Sequence, residues 1–134
     1  MKHITISEVG PRDGLQSVET TLSTEAKLAW IEAEYAAGVR EIEVGSFVSP
    51  KLLPQMADTE AVVRGAQHLE GLIIAVLVPN VRGFESALRA GAHKISVPLS
   101  LSETHSLKNV RRTHAQMLDE IRSCLKLVEA MPES

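Results

Sequence analysis

Leu72-Ile73-Ile74-Ala75-Val76-Leu77-Val78, bounded by Gly71 and Pro79, is a continuous apolar run with several β-branched side chains. A strand with one wet face alternates apolar and polar residues, whereas a strand covered on both faces does not need to. The run therefore reads as a strand inside a parallel sheet. Parallel neighbours must be joined by a crossover, usually a helix. Helices are expected on both sides, and the sequence offers them: one from Thr59 to Gln67, and one from Val81 to Ala90 closed by Gly91, with Asn80 placed to cap it.

The same cycle extends outward in both directions. His3 to Val9 (HITISEV) alternates and reads as a first strand, stopped by the turn Gly10-Pro11-Arg12-Asp13-Gly14. Ser23 or Thr24 can cap a helix in which Leu28, Ile31 and Tyr35 recur at helical spacing, ended by Gly38. Arg40 to Val44 (REIEV) is a second strand, and a loop with Pro50 and Pro54 follows it. His93 to Val97 (HKISV) is a fourth strand. Leu107 to Met131 reads as one long amphipathic helix with a stripe of Met117, Ile121, Leu125 and Val128. The result is four successive β-α units with right-handed crossovers, an α/β chain. A doubly wound sheet and a (β/α)8 TIM-barrel both fit this order. In a barrel the inner face would be lined by Ile4, Ile6, Ile42, Ile74, Val76 and Ile95, or by their alternates.

Composition narrows the functional classes. The 134 residues suit a single domain over 1–134, 44% hydrophobic and 23% charged, with net charge -3. Basic residues are interspersed with acidic ones, so neither a nucleic-acid partner nor a membrane surface is expected. Cys124 is the only cysteine, which excludes an internal disulfide framework. Met1 leads almost directly into the first strand, from which a cytoplasmic location is expected.

In parallel α/β proteins the chemistry gathers beyond the carboxyl ends of the strands. The first strand ends in Glu8, followed by Pro11-Arg12-Asp13-Gly14-Leu15-Gln16. The second ends in Glu43, followed by Gly45-Ser46-Phe47-Val48-Ser49-Pro50-Lys51. Two strands thus deliver carboxylates to one rim, with an arginine and a further acid beside them. Glu8, Arg12, Asp13 and Glu43 are expected to converge there.

These residues also carry a resemblance. Glu8-Val9-Gly10-Pro11-Arg12-Asp13-Gly14-Leu15-Gln16 resembles the signature of the hydroxymethylglutaryl-CoA lyase branch of a metal-dependent TIM-barrel family named for its Asp-Arg-Glu set. Ile42 to Lys51, Pro54-Gln55-Met56-Ala57-Asp58, and Leu77 to Asn80 with Gly83-Phe84-Glu85 agree in register, and Ser102-Glu103 through Lys108-Asn109 agrees more weakly. The resemblance implies that this chain holds the first four β-α units of a (β/α)8 barrel, its amino-terminal half. A whole barrel takes about 250 residues.

The implied reaction is cleavage of hydroxymethylglutaryl-CoA to acetyl-CoA and acetoacetate, with an acyl-CoA substrate and a divalent cation, magnesium or manganese. By the family pattern Asp13 is the metal ligand from strand one, and the remaining ligands, a His-x-His pair and an Asn, belong to later strands. Arg12 would stabilise the thioester enolate, and Glu43 would act beside it, with Glu8 as a further catalytic or orienting acid. Arg12, Gln16, Ser46 and Asn109 are the substrate-binding candidates. Local departures exist: Leu52 stands where the family commonly has tryptophan, and Val97 to His105 replaces a Gly-Ala-Ala-Ser type segment.

Plainer readings stand beside these. Arg12 and Asp13 could be a turn-stabilising ion pair, Glu43 a paired rim acid, and Ser46 and Asn80 helix caps. His93 reads as a surface residue, His105 and His114 lie outside the matched metal positions, and Cys124 reads as a packed thiol. Alternative functions are a condensing enzyme of the isopropylmalate synthase type, or a non-catalytic half-barrel that survives as a homo-oligomer. The Gly-Pro opening before Arg12, where the condensing enzymes have Thr-Leu, disfavours the first of these.

Overall fold

The computed structural model describes residues 2–132. The sheet is built where the apolar runs predict it: β1 (Ser7–Glu8), β2 (Glu41–Ser46), β3 (Ile73–Leu77) and β4 (Lys94–Ser96) pair in parallel in the order β1-β2-β3-β4. Neighbours in sequence are neighbours in the sheet throughout. This is the order of a barrel wall, whereas a doubly wound sheet reverses direction at a switch point. The helices α1 (Thr24–Ala36), α2 (Thr59–Gly65) and α3 (Val81–Ala90) form the crossovers, and α4 (Glu103–Val110) and α5 (His114–Glu129) follow β4.

Two of the crossover helices, α1 and α3, start or stop for a local reason. Ser23 caps α1 by accepting from the Ala26 amide at 3.1 Å. Asn80 caps α3 by accepting from the Gly83 amide at 2.9 Å. Gly91 closes α3 with φ 93°, a left-handed conformation that a side chain resists. The helices bury their apolar stripes on one face of the sheet: Ile31, Val62, Val63, Phe84, Ala87 and Cys124 pack against Ile42, Val44, Ile74 and Val76.

Three expectations are corrected. First, β1 is two residues long, not seven, and Ile4 and Ile6 are 86% and 72% exposed. Its partner begins at Glu41, in register with Ser7, so the residues before Ser7 have nothing to pair with. Second, the aliphatics expected on the inner face lie on the helix face. Ile42, Ile74 and Val76 belong to the core under the helices and Ile95 packs against it, while the opposite face carries Glu41, Glu43 and Lys94 beside the alternates Ile73, Ala75 and Leu77. There Lys94 donates to Glu41 at 3.0 Å, across Ala75. Hydrogen bonding from Ser7 and then Lys94 holds the Glu41 carboxyl below the usual carboxylate range.

Third, the long final helix is two helices. Arg111 adopts φ 56° and ends α4, and Thr113 opens α5 with a capping box in which Thr113 and Gln116 bond each other's backbone amides. Ser106 Oγ donates to the Arg112 carbonyl at 2.6 Å and holds the break. The buried face of α5 runs through Met117 and Cys124, while Leu125 and Val128 of the expected stripe are half exposed. Burial raises the Cys124 thiol, with Glu120 and Glu85 adding to it, so it is a packed thiol and not a reactive one.

Arg111 is the only non-glycine with positive φ among the described residues. A left-handed side chain costs more than the extra chain entropy of glycine, so Arg111→Gly should raise stability by about 0.5–1 kcal/mol. Urea denaturation measures it directly. A loss of stability would mean that the Arg111 side chain itself contributes to the break.

Candidate active site

Alternation along β2 sets the site. Glu41 and Glu43 share one face, and Ile42 and Val44 point into the helix layer. The register with β3 then slips by one residue: Glu43 pairs with Ala75, but Gly45 pairs with Val76 and Ser46 with Leu77. Gly45 takes the helix-facing position, where an added Cβ would stand 2.5 Å from Thr59 Oγ1, so only glycine fits. Ser46 is thereby returned to the same face as Glu43. An extra residue that re-aims a side chain beside a site is a recurrent use of such irregularities.

The turn after β1 brings Arg12 to this face. Residues Gly10–Gly14 form one wide helical turn, with Pro11 buried and the Asp13 amide bonded to the Val9 carbonyl at 2.7 Å. Gly10 sits where an added Cβ would meet Glu8 Oε1 at 2.9 Å and the Trp30 ring at 3.0 Å. Arg12 Nε donates to Glu43 Oε1, and its Nη1 donates to Asp13 Oδ1 at 3.1 Å. The side chains of Arg12 and Glu43 are 16% and 11% exposed, and that of Asp13 is 69% exposed. The guanidinium is therefore clamped at one edge by a sheltered carboxylate, with further N–H donors to spare. A sheltered, pre-oriented cation can stabilise a developing oxyanion more than a mobile one in water.

Gln16 and Ser46 join this set. Ser46 Oγ donates to Gln16 Oε1 at 3.1 Å, so Ser46 is not a helix cap. Ser46, Asn80 and Ser49 line a cleft of about 380 Å3 between the loop after β2 and the start of α3. Arg12, Asp13, Glu43, Gln16 and Ser46 thus lie along one rim, linked through contacts between β2 and the turn after β1.

Glu8 and Asn109 do not join it. Glu8 pairs in register with Ile42, not with Glu41 or Glu43, so its side chain leaves on the helix face. Its carboxylate accepts from the Gly10 amide at 2.7 Å, and its charge helps burial to raise the Glu34 carboxyl beside Trp30. The expected convergence of Glu8 on the rim is corrected by this parity; its contact is with the turn's backbone. Asn109 is exposed on α4 and bonds His105 Nε2 at 2.6 Å. The structure gives it no bond to the other candidates. His93 Nδ1 accepts from the Ile74 amide at 3.0 Å, which explains that histidine without a ligand role.

Among the described residues no group of three or more His, Cys, Asp or Glu side chains is placed to hold a metal ion. Asp13 fits as one hard oxygen ligand on the open rim, since Glu43 is committed to Arg12. Sequence reading missed Gln55, whose side-chain amide reaches the Gln16 carbonyl, and Lys27, which is buried behind it and bonds the Gln55 carbonyl. Lys27 was visible as a charge on the same helical stripe as buried Ile31, four residues on.

The HMGL-like family model matches residues 3–134. A hydroxymethylglutaryl-CoA lyase of Bacillus subtilis is 43% identical over 117 residues, covering 87% of this chain and 39% of the relative. The mitochondrial hydroxymethylglutaryl-CoA lyase of Macaca fascicularis is 41% identical over 129 residues, covering 96% and 40%. A solved hydroxymethylglutaryl-CoA lyase from Acinetobacter baumannii, in complex with coenzyme A and 3-methylmalate, superposes with a TM-score of 0.89 at 36% identity, covering 96% of this chain and 42% of that one. The chain spans about 40% of the length of the curated relatives it matches.

Proposed function

Since the chain belongs to the HMGL-like family, we propose that it supplies the strand-one and strand-two side of a lyase site that cleaves hydroxymethylglutaryl-CoA to acetyl-CoA and acetoacetate. The observation that carries this reading is the Arg12 guanidinium held between Glu43 and Asp13 beyond the strand ends. In this cleavage the tertiary alcohol of the substrate loses its proton, and its oxygen becomes the ketone oxygen of acetoacetate. The adjacent carbon–carbon bond breaks, and its electron pair passes into the thioester as an enolate, which is protonated to acetyl-CoA.

Arg12 is suited to hold the enolate oxygen, because its position is fixed before charge develops there. Glu43 fixes that position. Gln16 and Ser46, bonded to each other, offer an amide and a hydroxyl for the acyl-CoA substrate. Glu8 acts on the turn's backbone at Gly10. A divalent cation, magnesium or manganese, would polarise the substrate alcohol when bound, with Asp13 as one ligand and the others from outside residues 2–132. We assign residues 1–134 to one domain, four β-α units of a barrel wall whose free edges at β1 and β4 await further strands or a second copy of the chain. No described helix is long and apolar enough to cross a membrane.

A hybrid tests the reading: residues 1–134 joined to the remaining length of the Bacillus subtilis relative should fold and cleave hydroxymethylglutaryl-CoA with added manganese. A folded hybrid that binds manganese but yields no acetyl-CoA would overturn it. The 134-residue chain alone should bind manganese weakly or not at all, because a single carboxylate cannot displace enough water from a hard cation. Calorimetry that found tight, stoichiometric binding lost in Asp13→Ala would mean that the chain completes the centre from its own residues.

A further inference from the structure

The Pro54-Gln55-Met56-Ala57-Asp58 block touches none of the reacting groups assigned above, yet it lies between them and a buried lysine. Lys27 is 2% exposed. Its ammonium donates to the Gln55 carbonyl at 2.6 Å and to Asp58 Oδ1 at 2.5 Å, and Thr24 Oγ1 donates to Asp58 Oδ2 at 2.7 Å. The Gln55 side chain then points the other way. Its amide donates to the Gln16 carbonyl at 2.9 Å and to the Val18 carbonyl at 3.1 Å. Gln16 in turn accepts from Ser46.

An unbroken path of hydrogen bonds therefore runs from α1, through the short turn Pro54–Met56, to the loop that follows Arg12 and Asp13. Burying an ammonium is costly unless it is fully paired, and an apolar residue of similar volume would usually stabilise the helix face as well or better. A buried charge at this position makes sense as a device that fixes geometry. The Gln55 amide binds two carbonyls of the same loop, at Gln16 and Val18, and so holds that segment toward β2.

We propose that Lys27, acting through Gln55, is a positioning residue that sets the loop carrying Gln16 against Ser46 at the rim. The proposal rests on the lyase reading for what the rim does, but its geometry does not depend on that reading. Residues 17–22 belong to no strand or helix that would order them, and the Gln55 amide supplies a tether. Lys27 supplies the fixed point from which Gln55 reaches.

The test is residue-resolved amide hydrogen exchange on the full chain, comparing Gln55→Leu and Lys27→Met with the parent. Gln55→Leu cuts the tether at its loop end and leaves Lys27 bonded to the backbone carbonyl of residue 55 and to Asp58. Exchange at residues 15–19 should rise by about tenfold or more, while α5 stays at parental rates, because a local tether opens one segment and not the domain. Lys27→Met should open the same segment together with residues 54–58. A merely stabilising role for Lys27 would instead accelerate all segments in proportion. If Gln55→Leu leaves residues 15–19 at parental rates, or accelerates α5 equally, the proposal is wrong. Parental exchange in Gln55→Leu overturns the tether by itself, and if Lys27→Met fails to fold, Asp58→Asn, which loosens the same ammonium, takes its place: it should open residues 15–19 and 54–58 ahead of α5, and unchanged rates there would overturn the role of Lys27. The measurement uses no substrate, so an inactive hybrid would defeat the lyase reading and leave the tether standing, and the reverse outcome is equally distinguishable.

Discussion

Arg12→Ala in the active hybrid should lower kcat for hydroxymethylglutaryl-CoA by about 100- to 1000-fold, with KM little changed. The guanidinium is held by Glu43 and Asp13 before substrate arrives, so it gives little extra to the ground state. Its contribution grows as charge develops on the thioester oxygen, and only such a difference raises kcat. Arg12→Lys should recover little of the loss. A lysine offers one point charge and cannot bond Glu43 at one edge while presenting a fork of donors at the other. Steady-state kinetics on both variants, with a thermal melt as control for the lost ion pair, decide the matter. A variant that lost affinity and kept kcat would make Arg12 a substrate anchor.

The second large effect lies in the fold. Ile74→Ala should destabilise the chain by about 3–5 kcal/mol, against a total of about 5–15 kcal/mol for a typical domain. Ile74 has no exposed surface, stands in register with Ile42 on β2, and belongs to the core that α1, α2, α3 and α5 cover. Removing three carbons there leaves a cavity that a sheet paired on both sides is poorly able to close. Leu101→Ala is the matched control. That leucine is 98% exposed, and its truncation should change stability by less than about 0.5 kcal/mol. Urea midpoints for the two variants measure the difference. A loss below about 1 kcal/mol at Ile74 would contradict a core on this face.

The free edges of β1 and β4 explain why exposed aliphatics cluster outside that core. Ile4 and Ile6 precede the first paired residue of β1, and Leu99 and Leu101 follow β4. Apolar side chains beside an unpaired strand edge are what further strands or helices of a barrel would cover.

Local chemistry was enough to read most of the architecture. The unbroken apolar run at residues 72–78 required a strand covered on both sides. The alternation of such runs with capped helices required a parallel sheet. Ser23, Asn80 and Gly91 act within a few residues of themselves, so their roles could be read from their neighbours alone. The strand-end motif likewise placed Arg12 next to Asp13 and near Glu43. The break at Arg111 was also local, since Thr113 and Gln116 spell a capping box, but it was masked by the apolar spacing running through it.

What the tertiary structure alone decided is which face each side chain takes. A strand's side chains alternate, but the phase of that alternation is fixed by register with its neighbours, which no local pattern contains. Register with Glu41 leaves Ile4 and Ile6 unpaired and puts Glu8 among the helices. The one-residue slip after Glu43 turns Ser46 back to the face of Glu43, where it meets Gln16, and it requires Gly45 to lie against Thr59, a residue fourteen positions away. Lys27 is the same case at longer range. Its partners at Gln55 and Asp58 come from the next β-α unit, so only packing of α1 against that loop turns an apparent surface charge into a buried one.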